Sequence, residues 1–258
     1  MRKLKIAVYT CITGGYDKLF SPEGFFDNID FFCFTDRPEN IVSPWIFRDI
    51  SLPNLSKKDQ NRYIKMHPHL CLPDYDFTIY IDGSVRVVSN LTKLISEVMA
   101  REEDLLFYDH YGRSCIYDEA ATCAHYGLDW IWNISSQMRK YSAENYPQNN
   151  KLFEATVIVR KNSTLSNKFM SSWWVEYELG AKRDQLSLTV VAWRLGIKLG
   201  SLGISDHRIK HEYFKFIGHP KKPNLKTYMM KYINRVVAHF ISYKKLFNVN
   251  DDVGVRYY

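Results

Sequence analysis

The chain has 258 residues, 46% of them apolar and 24% charged, with no low-complexity tract. That composition excludes disorder, collagen and coiled coil, and it allows a core large enough to need no metal or disulfide staple. Thirty-five basic residues against 28 acidic ones leave a net charge of +7, which points to anions as partners: nucleic acid, anionic lipid or a phosphorylated small molecule.

The opening MRKLKIAVYT predicts a strand over Leu4 to Thr10. It lacks the apolar stretch and cleavage site of a signal peptide, so the expectation is a cytoplasmic chain. No run of 18 apolar residues occurs, so no membrane span is predicted. Five cysteines (Cys11, Cys33, Cys71, Cys115, Cys123) form no C-x-x-C pair, which fits a reducing compartment and buried thiols rather than a zinc knuckle. Ile29 to Thr35 is a second strand, and Thr13-Gly14-Gly15-Tyr16-Asp17 between the two is either an ordinary turn or a loop that lets backbone approach a ligand.

A helix starts at Ser56 with a loose capping box and ends at Pro68. The run Phe77 to Ile81 is a strand that stops at Asp82-Gly83-Ser84. A helix is predicted from about Ser89 to Ala100, a strand over Leu105 to Tyr108, and two helical stretches over 114–145 broken near Gly127. Phe153 to Arg160 is a strand, Leu165 to Leu179 an aromatic-rich helix, and Arg183 to Leu195 a buried apolar helix stopped by Gly196. After Pro223, apolar residues from Leu225 through Met229, Tyr232, Val236, Phe240 and Phe247 recur at steps of three and four, with Lys226, Lys231, Arg235, Lys244 and Lys245 mainly on other faces. This is a basic amphipathic helix, packed on the domain or lying on anionic lipid.

An acidic residue at the end of a strand, with Gly beside it, is where α/β sheets place ligand contacts, which singles out Asp82. One carboxylate plus a diphosphate can hold a hard cation; a residue that only caps a turn is the plainer alternative. The loop Gly218-His219-Pro220-Lys221-Lys222-Pro223 offers a second ligand and two phosphate-binding charges. Arg62 and Lys65 stand one helical turn apart and could neutralise a diphosphate. His110, Arg113, Asp118 and Glu119 form a polar stretch, Glu154 opens a strong strand, and Asp184 sits at a helix start where it is either a dipole partner or a catalytic base. His67, His69, His207 and His211 read as structural.

In order, YTCITGGYD, FFCFTD, NRYIKMHPH, YIDGS, HYGRSCIYDEA, EATVIVRKNSTLSNKF and RDQLSL resemble the glycosyltransferase-like family first catalogued as domain of unknown function 616. Its plant members are linked to cell-wall and mucilage polysaccharides and its bacterial members to surface polysaccharides. The resemblance, which runs from about residue 6 to about residue 200, implies an α/β GT-A-like (Rossmann-like) fold with a mixed central sheet, taken as a domain over 1–223; the basic amphipathic extension 224–258 rests on its periodicity. It also implies transfer of a sugar from a nucleoside diphosphate donor, taken as a UDP-sugar, to a glycan or lipid-linked acceptor of capsule, O-antigen or lipopolysaccharide. Peripheral contact with the inner membrane face is expected, and nucleic acid is not.

Carried over residue by residue, the resemblance puts Thr10, Gly14, Gly15, Tyr16, Asp17, Arg62, Lys65, Asp82, Gly83 and Ser84 at the donor; the loop His219-Pro220-Lys221-Lys222-Pro223 is similar to the C-terminal His-x-x-x-Lys-Pro element of glycogenin-like enzymes, which adds Lys221 and Lys222 there. Asp82 and His219 would hold Mn2+ (or Mg2+), Asp184, Asp82 and Glu154 would be catalytic, and His110, Arg113 and Glu119 would meet the acceptor. The usual motif is Asp-x-Asp, whereas Ser84 stands in the third place, so His219, or Arg86 with the lysines, would have to complete the charge balance. A metal-dependent amide hydrolase of the ceramidase type and a non-catalytic glycan-binding protein are the competing readings.

Overall fold

A first strand that is apolar at every position but Thr10 can be buried on both faces only inside a covered sheet, and Ile6–Ile12 (β1) is buried throughout. The computed structural model describes residues 4–24, 26–205, 212–218 and 225–255. After β1 come the strands Ile29–Thr35 (β2) and Ile46–Arg48 (β3), then helices Lys57–Met66 (α1) and Pro68–Cys71 (α2). Phe77–Ile81 (β4), Val85–Val87 (β5), helix Thr92–Met99 (α3) and Leu105–His110 (β6) follow. Helices Ile116–Tyr126 (α4) and Ile131–Ala143 (α5) precede Phe153–Lys161 (β7), Thr164–Leu179 (α6) and Gln185–Leu195 (α7). The last elements are Gly200–Ser205 (β8), Phe214–Phe216 (β9), Leu225–Phe240 (α8) and Tyr243–Phe247 (α9).

Seven strands form one sheet in the order β3-β2-β1-β4-β7-β6-β8. β2 and β4 flank β1 in parallel, β3 is parallel to β2, and β7 runs antiparallel to β4. The expected α/β class with a mixed central sheet is therefore what the chain adopts. From β1 the chain builds outward to β2 and β3, then returns to β4 on the other side. That reversal puts the switch point of the sheet at the carboxyl ends of β1 and β4, where open α/β sheets take their ligands.

The chain divides into two compact units. The first comprises Met1–Tyr108, Ala155–Ser171 and Leu199–Lys221, and holds the sheet over a core that includes Val8, Phe31, Ile79, Leu106 and Val159. The second comprises Asp109–Glu154, Ser172–Lys198 and Lys222–Tyr258, with a helical core that includes Tyr117, Met138, Leu186 and Phe247. The tail expected as an appendage thus supplies part of the second unit's core.

Local signals set the helix ends. The Ser56 hydroxyl accepts from the Asp59 N–H to start α1, and left-handed Gly127 and Gly196 end α4 and α7. Two expectations need correction, and one pair of strands was not foreseen. α3 begins at Thr92 rather than near Ser89, because the Asn90 side chain accepts from the Thr92 N–H and Ser89 donates to the Glu212 carbonyl. The tail is not one helix: α8 stops at Phe240 and the Ser242 side chain caps α9 anew. β5 and β9, paired antiparallel as a two-stranded sheet, had no local signature because the partners are far apart in the chain. Among the described residues no helix is long and apolar enough to cross a membrane.

Candidate functional site

In the first unit the loops that leave β1, β2 and β4 lie at the carboxyl end of these parallel strands. Gly14 and Gly15 both have positive φ; the Gly14 N–H donates to the Asp36 carboxylate at 3.0 Å, and Lys57 Nζ stands 2.8 Å from the same group. A Cβ on Gly15 would lie 2.7 Å from the Arg37 guanidinium. The double glycine is thus a loop held between side chains beyond β2, and it lines a narrow cleft with Asp17, Thr35, Arg37 and Asn40. Tyr16 projects outward. Thr10 lies fully buried on the face of β1 that carries Val8 and Ile12, away from open surface.

Asp82 follows β4 directly. Its N–H donates to the Thr156 carbonyl at 2.8 Å, and its carbonyl accepts from Val85, so the turn Asp82-Gly83-Ser84 is fixed at both ends. The Tyr80 hydroxyl donates to Asp82 Oδ1 at 2.7 Å, and Lys65 Nζ lies 3.8 Å from that oxygen and 5.0 Å from the Tyr80 ring centre. Lys65 is 1% exposed, whereas the Asp82 side chain is 19% exposed. Lys65, expected to face the donor, is therefore a buried counter-charge that orients Asp82. Burial, and then the Asp82 charge, push the Tyr80 hydroxyl well above its ordinary pKa, while Arg62 pulls the other way; Arg62 is close enough to share this electrostatic environment. On the other side, a Cβ on Gly83 would sit 2.8 Å from Asp17 Cβ and Oδ2. Two carboxylate side chains, Asp82 and Asp17, therefore border one turn.

Ser84, in the third motif place, is buried and its Oγ has no hydrogen-bond partner among the described residues. Arg86 does not serve Asp82: its Nε donates to the Ser21 carbonyl and its Nη1 pairs with Glu23, both at 2.7 Å. His219, Lys221 and Lys222, and with them the proposed completion of the metal site, lie outside the described residues. Among the described residues no three His, Cys, Asp or Glu side chains converge on one point. A hard divalent cation would fit here by taking Asp82 together with the phosphate oxygens of a ligand, rather than a protein cage.

The second unit carries a cluster of its own. His110 Nε2 lies 2.8 Å from Arg113 Nη2, 3.2 Å from Glu154 Oε1 and 3.7 Å from Glu119 Oε2. Arginine can only donate, so Nε2 accepts and the imidazole is neutral with its proton on Nδ1. Burial pushes the His110 pKa down, against the pull of Glu119. Arg113 Nε also donates to Glu119 Oε2 at 2.7 Å, and Cys123 Sγ reaches Glu119 Oε1 at 3.4 Å. Glu119 is buried and acts as the anchor that aims Arg113.

Burial raises the Glu154 carboxyl to about 7; the Glu119 and Asp184 charges add to the rise, and Arg113 and Arg183 oppose it. Facing the Nε2 lone pair at 3.2 Å, a carboxyl that holds its proton more tightly than usual sets less negative charge against the ring. The Glu154 side chain is 25% exposed, so a ligand can reach it. Asp184 occupies the N-cap position of α7 without capping it; its carbonyl accepts from Trp173 Nε1 at 2.9 Å.

The predicted residues accordingly fall into two groups. Asp17, Arg62, Lys65, Asp82, Gly83 and Ser84 gather in the first unit, and His110, Arg113, Glu119, Glu154 and Asp184 in the second. Sequence reasoning gave no role to Tyr80, Arg37, Arg183 or Cys123. Tyr80 alone had a usable signal, since it stands two residues before Asp82 on the same face of a strand. Of the four histidines read as structural, His67 Nδ1 lies 2.9 Å from the Tyr63 carbonyl oxygen and His69 Nε2 lies 3.2 Å from the Ser171 hydroxyl, while His207 and His211 lie outside the described residues.

Comparison with known proteins adds three findings. A family model described as TOD1/MUCI70, glycosyltransferase-like domain, matches residues 40–215, well over half of the chain and including every residue of the two clusters except Asp17. The probable hexosyltransferase MUCI70 of Arabidopsis thaliana is 24% identical over 165 residues, 59% of this chain; the chain spans only 28% of that relative's length. Among solved structures, mouse xyloside xylosyltransferase 1 in its apo form covers 97% of this chain and 95% of its own, with a TM-score of 0.49 and 10% identity.

Proposed function

The chain belongs to the TOD1/MUCI70, glycosyltransferase-like family, and from that premise we propose that it transfers a sugar from a nucleoside diphosphate donor to a glycan or lipid-linked acceptor. The observation that carries this reading is the turn at the end of β4, where Asp82 is oriented by Tyr80 and Lys65 while Asp17 packs on Gly83. Strand-end carboxylates beside cationic groups at a sheet's reversal suit a diphosphate and its cation. When bound, Mn2+ or Mg2+ would neutralise the leaving diphosphate; Asp82 is the residue assigned to it, with Asp17 beside the turn. Arg62 adds positive charge on the same side.

The proton work is assigned to Glu154. A carboxyl that titrates near 7 can take a proton from an acceptor hydroxyl or return one, and His110, held neutral by Arg113, fixes its orientation. Asp184 and Arg183 tune its charge. We take the donor to be a UDP-sugar and the product to be surface polysaccharide of the capsule, O-antigen or lipopolysaccharide kind, made in the cytoplasm at the inner face of the membrane.

Thermal unfolding with UDP, GDP and CDP, with and without Mn2+, tests the donor assignment. A ligand at one hundred times its dissociation constant adds about 2.7 kcal/mol of apparent stability. One nucleotide should raise the midpoint in the presence of Mn2+, and Asp82→Asn, which can still accept from Tyr80, should lose the effect while keeping the fold. Stabilisation that persists in Asp82→Asn removes Asp82 from the site.

A further inference from the structure

We propose that the outward face of α8 docks on an anionic lipid surface. α8 is anchored by its inner face: Met230 and Asn234 are buried, and Asn234 accepts from the Ile131 N–H and donates to the Ala124 and Asp129 carbonyls at 2.8 to 2.9 Å. A helix held this way should present polar residues to water on the other side. Here the opposite face carries Leu225, Tyr228, Met229, Tyr232, Val236 and Phe240 at helical spacing, all exposed, with Leu225 at 84%, Tyr232 at 71% and Phe240 at 79%. A continuous apolar stripe of this kind on a surface helix marks a contact site.

Two further observations select the occupant. Residues 225–249 contain five Lys and Arg and no Asp or Glu, so the apolar stripe lies in a segment of one charge sign. A second copy of this chain would set two such segments against each other, whereas a sheet of anionic headgroups complements them. Beside α8, the end of α4 and the start of α5 expose Tyr126 and Trp132; Lys231 Nζ lies 5.6 Å from the Tyr126 ring centre, and Trp132 stacks on Trp130 at 4.5 Å. Tyr and Trp bordered by Lys and Arg are the side chains that settle at a membrane–water boundary. α8 lies outside the span that matches the family, whereas Tyr126 and Trp132 lie within it. The inference deepens the membrane-face part of the function proposed above.

The test is flotation of the full chain with vesicles of phosphatidylcholine alone and of phosphatidylcholine with phosphatidylglycerol, at low and high salt. The chain should float with the anionic vesicles at low salt, stay behind with the neutral ones, and be released by high salt. The double substitution Tyr232→Ser/Phe240→Ser, at two exposed positions, should lower the partition about tenfold or more, and Lys226→Glu/Lys245→Glu should lower it too. Leu225→Ser replaces the first pair if that variant loses its cooperative unfolding. The proposal is overturned if the wild type ignores anionic vesicles, if the apolar variant floats as well as the wild type, or if light scattering finds a dimer that the same variant dissociates. Nucleotide-dependent stabilisation measured on the same samples separates the two readings. Lost flotation with that response intact removes only the docking surface, and lost response with flotation intact removes only the donor site.

Discussion

Gly83 has no side chain because Asp17 occupies the space one would need. Gly83→Ala must push Asp17 aside, which should cost about 1–3 kcal/mol in urea unfolding. Adding Asp17→Gly, which removes the Cβ as well as the carboxylate, should restore part of that loss, and undiminished stability in the single variant would show that Asp17 packs elsewhere. Glu154 makes a prediction of the opposite kind, in pH. Its carboxyl titrates at about 7 in the folded chain against an ordinary 4.5, so the folded state keeps a proton that the unfolded state has lost. The stability it contributes is present below the ordinary value and disappears as pH rises toward 7. Relative to Glu154→Gln, the wild type should therefore lose unfolding midpoint between about pH 5 and about pH 7.5. A transfer assay should also show a pH limb near 7 that the variant lacks, and a flat difference between the two proteins would mean that Glu154 ionises normally. Asp82, Glu154 and Asp184 were legible as residues because each sits at the start or end of a recognisable element. That Lys65 is a buried partner of Asp82 was not, since the helical step that relates Arg62 and Lys65 says nothing of which one faces inward.

Between elements, a few buried polar side chains do most of the joining. Asn234 bridges α8 to the ends of α4 and α5 through three backbone groups. In Asn234→Ala each orphaned group costs about 1–3 kcal/mol. The expected outcome is a large fall in the unfolding midpoint together with faster hydrogen exchange at the Ile131 amide; unchanged exchange there would mean that α8 is held by apolar packing alone. Glu176 plays the same part for α5, α6 and α7. Lys140 Nζ and Arg194 Nη1 lie 2.8 and 2.6 Å from its oxygens, and the Tyr141 hydroxyl donates to it at 3.0 Å. Burial alone would raise its pKa, but these three partners outweigh it and hold the carboxyl below its ordinary range. Glu176→Ala should cost about 1–3 kcal/mol, less than a wholly buried pair because Lys140 stays partly in water. The contribution of Glu176 is present above the ordinary carboxylate range and fades as pH falls, so the gap between wild type and variant should close in acid. The long elements could be read from periodicity and from their Gly, Pro and Ser boundaries. β3, β5 and β9 could not, being three residues each and stabilised by partners elsewhere in the chain.

For the molecule as a whole, charge and composition pointed toward anions without choosing among them, and the ordered motifs named a family that the match over 40–215 bears out. The partition into two units was invisible in the sequence, because no linker marks it: β6 and β7 pass from one unit into the other without a break. This interleaving bears on how the chain is made. β7 pairs with β4 and neighbours β6, yet it is translated after β4, β6 and two helices of the other unit. Until residue 153 leaves the ribosome, the growing chain holds β4 with one bare edge and β6 with its inner neighbour missing. Such long-range closure is slow and exposes strands that can pair with the wrong neighbour. A nascent chain stalled before β7 should therefore be protease-sensitive and engage chaperones, and one stalled after it should be the first to resist digestion.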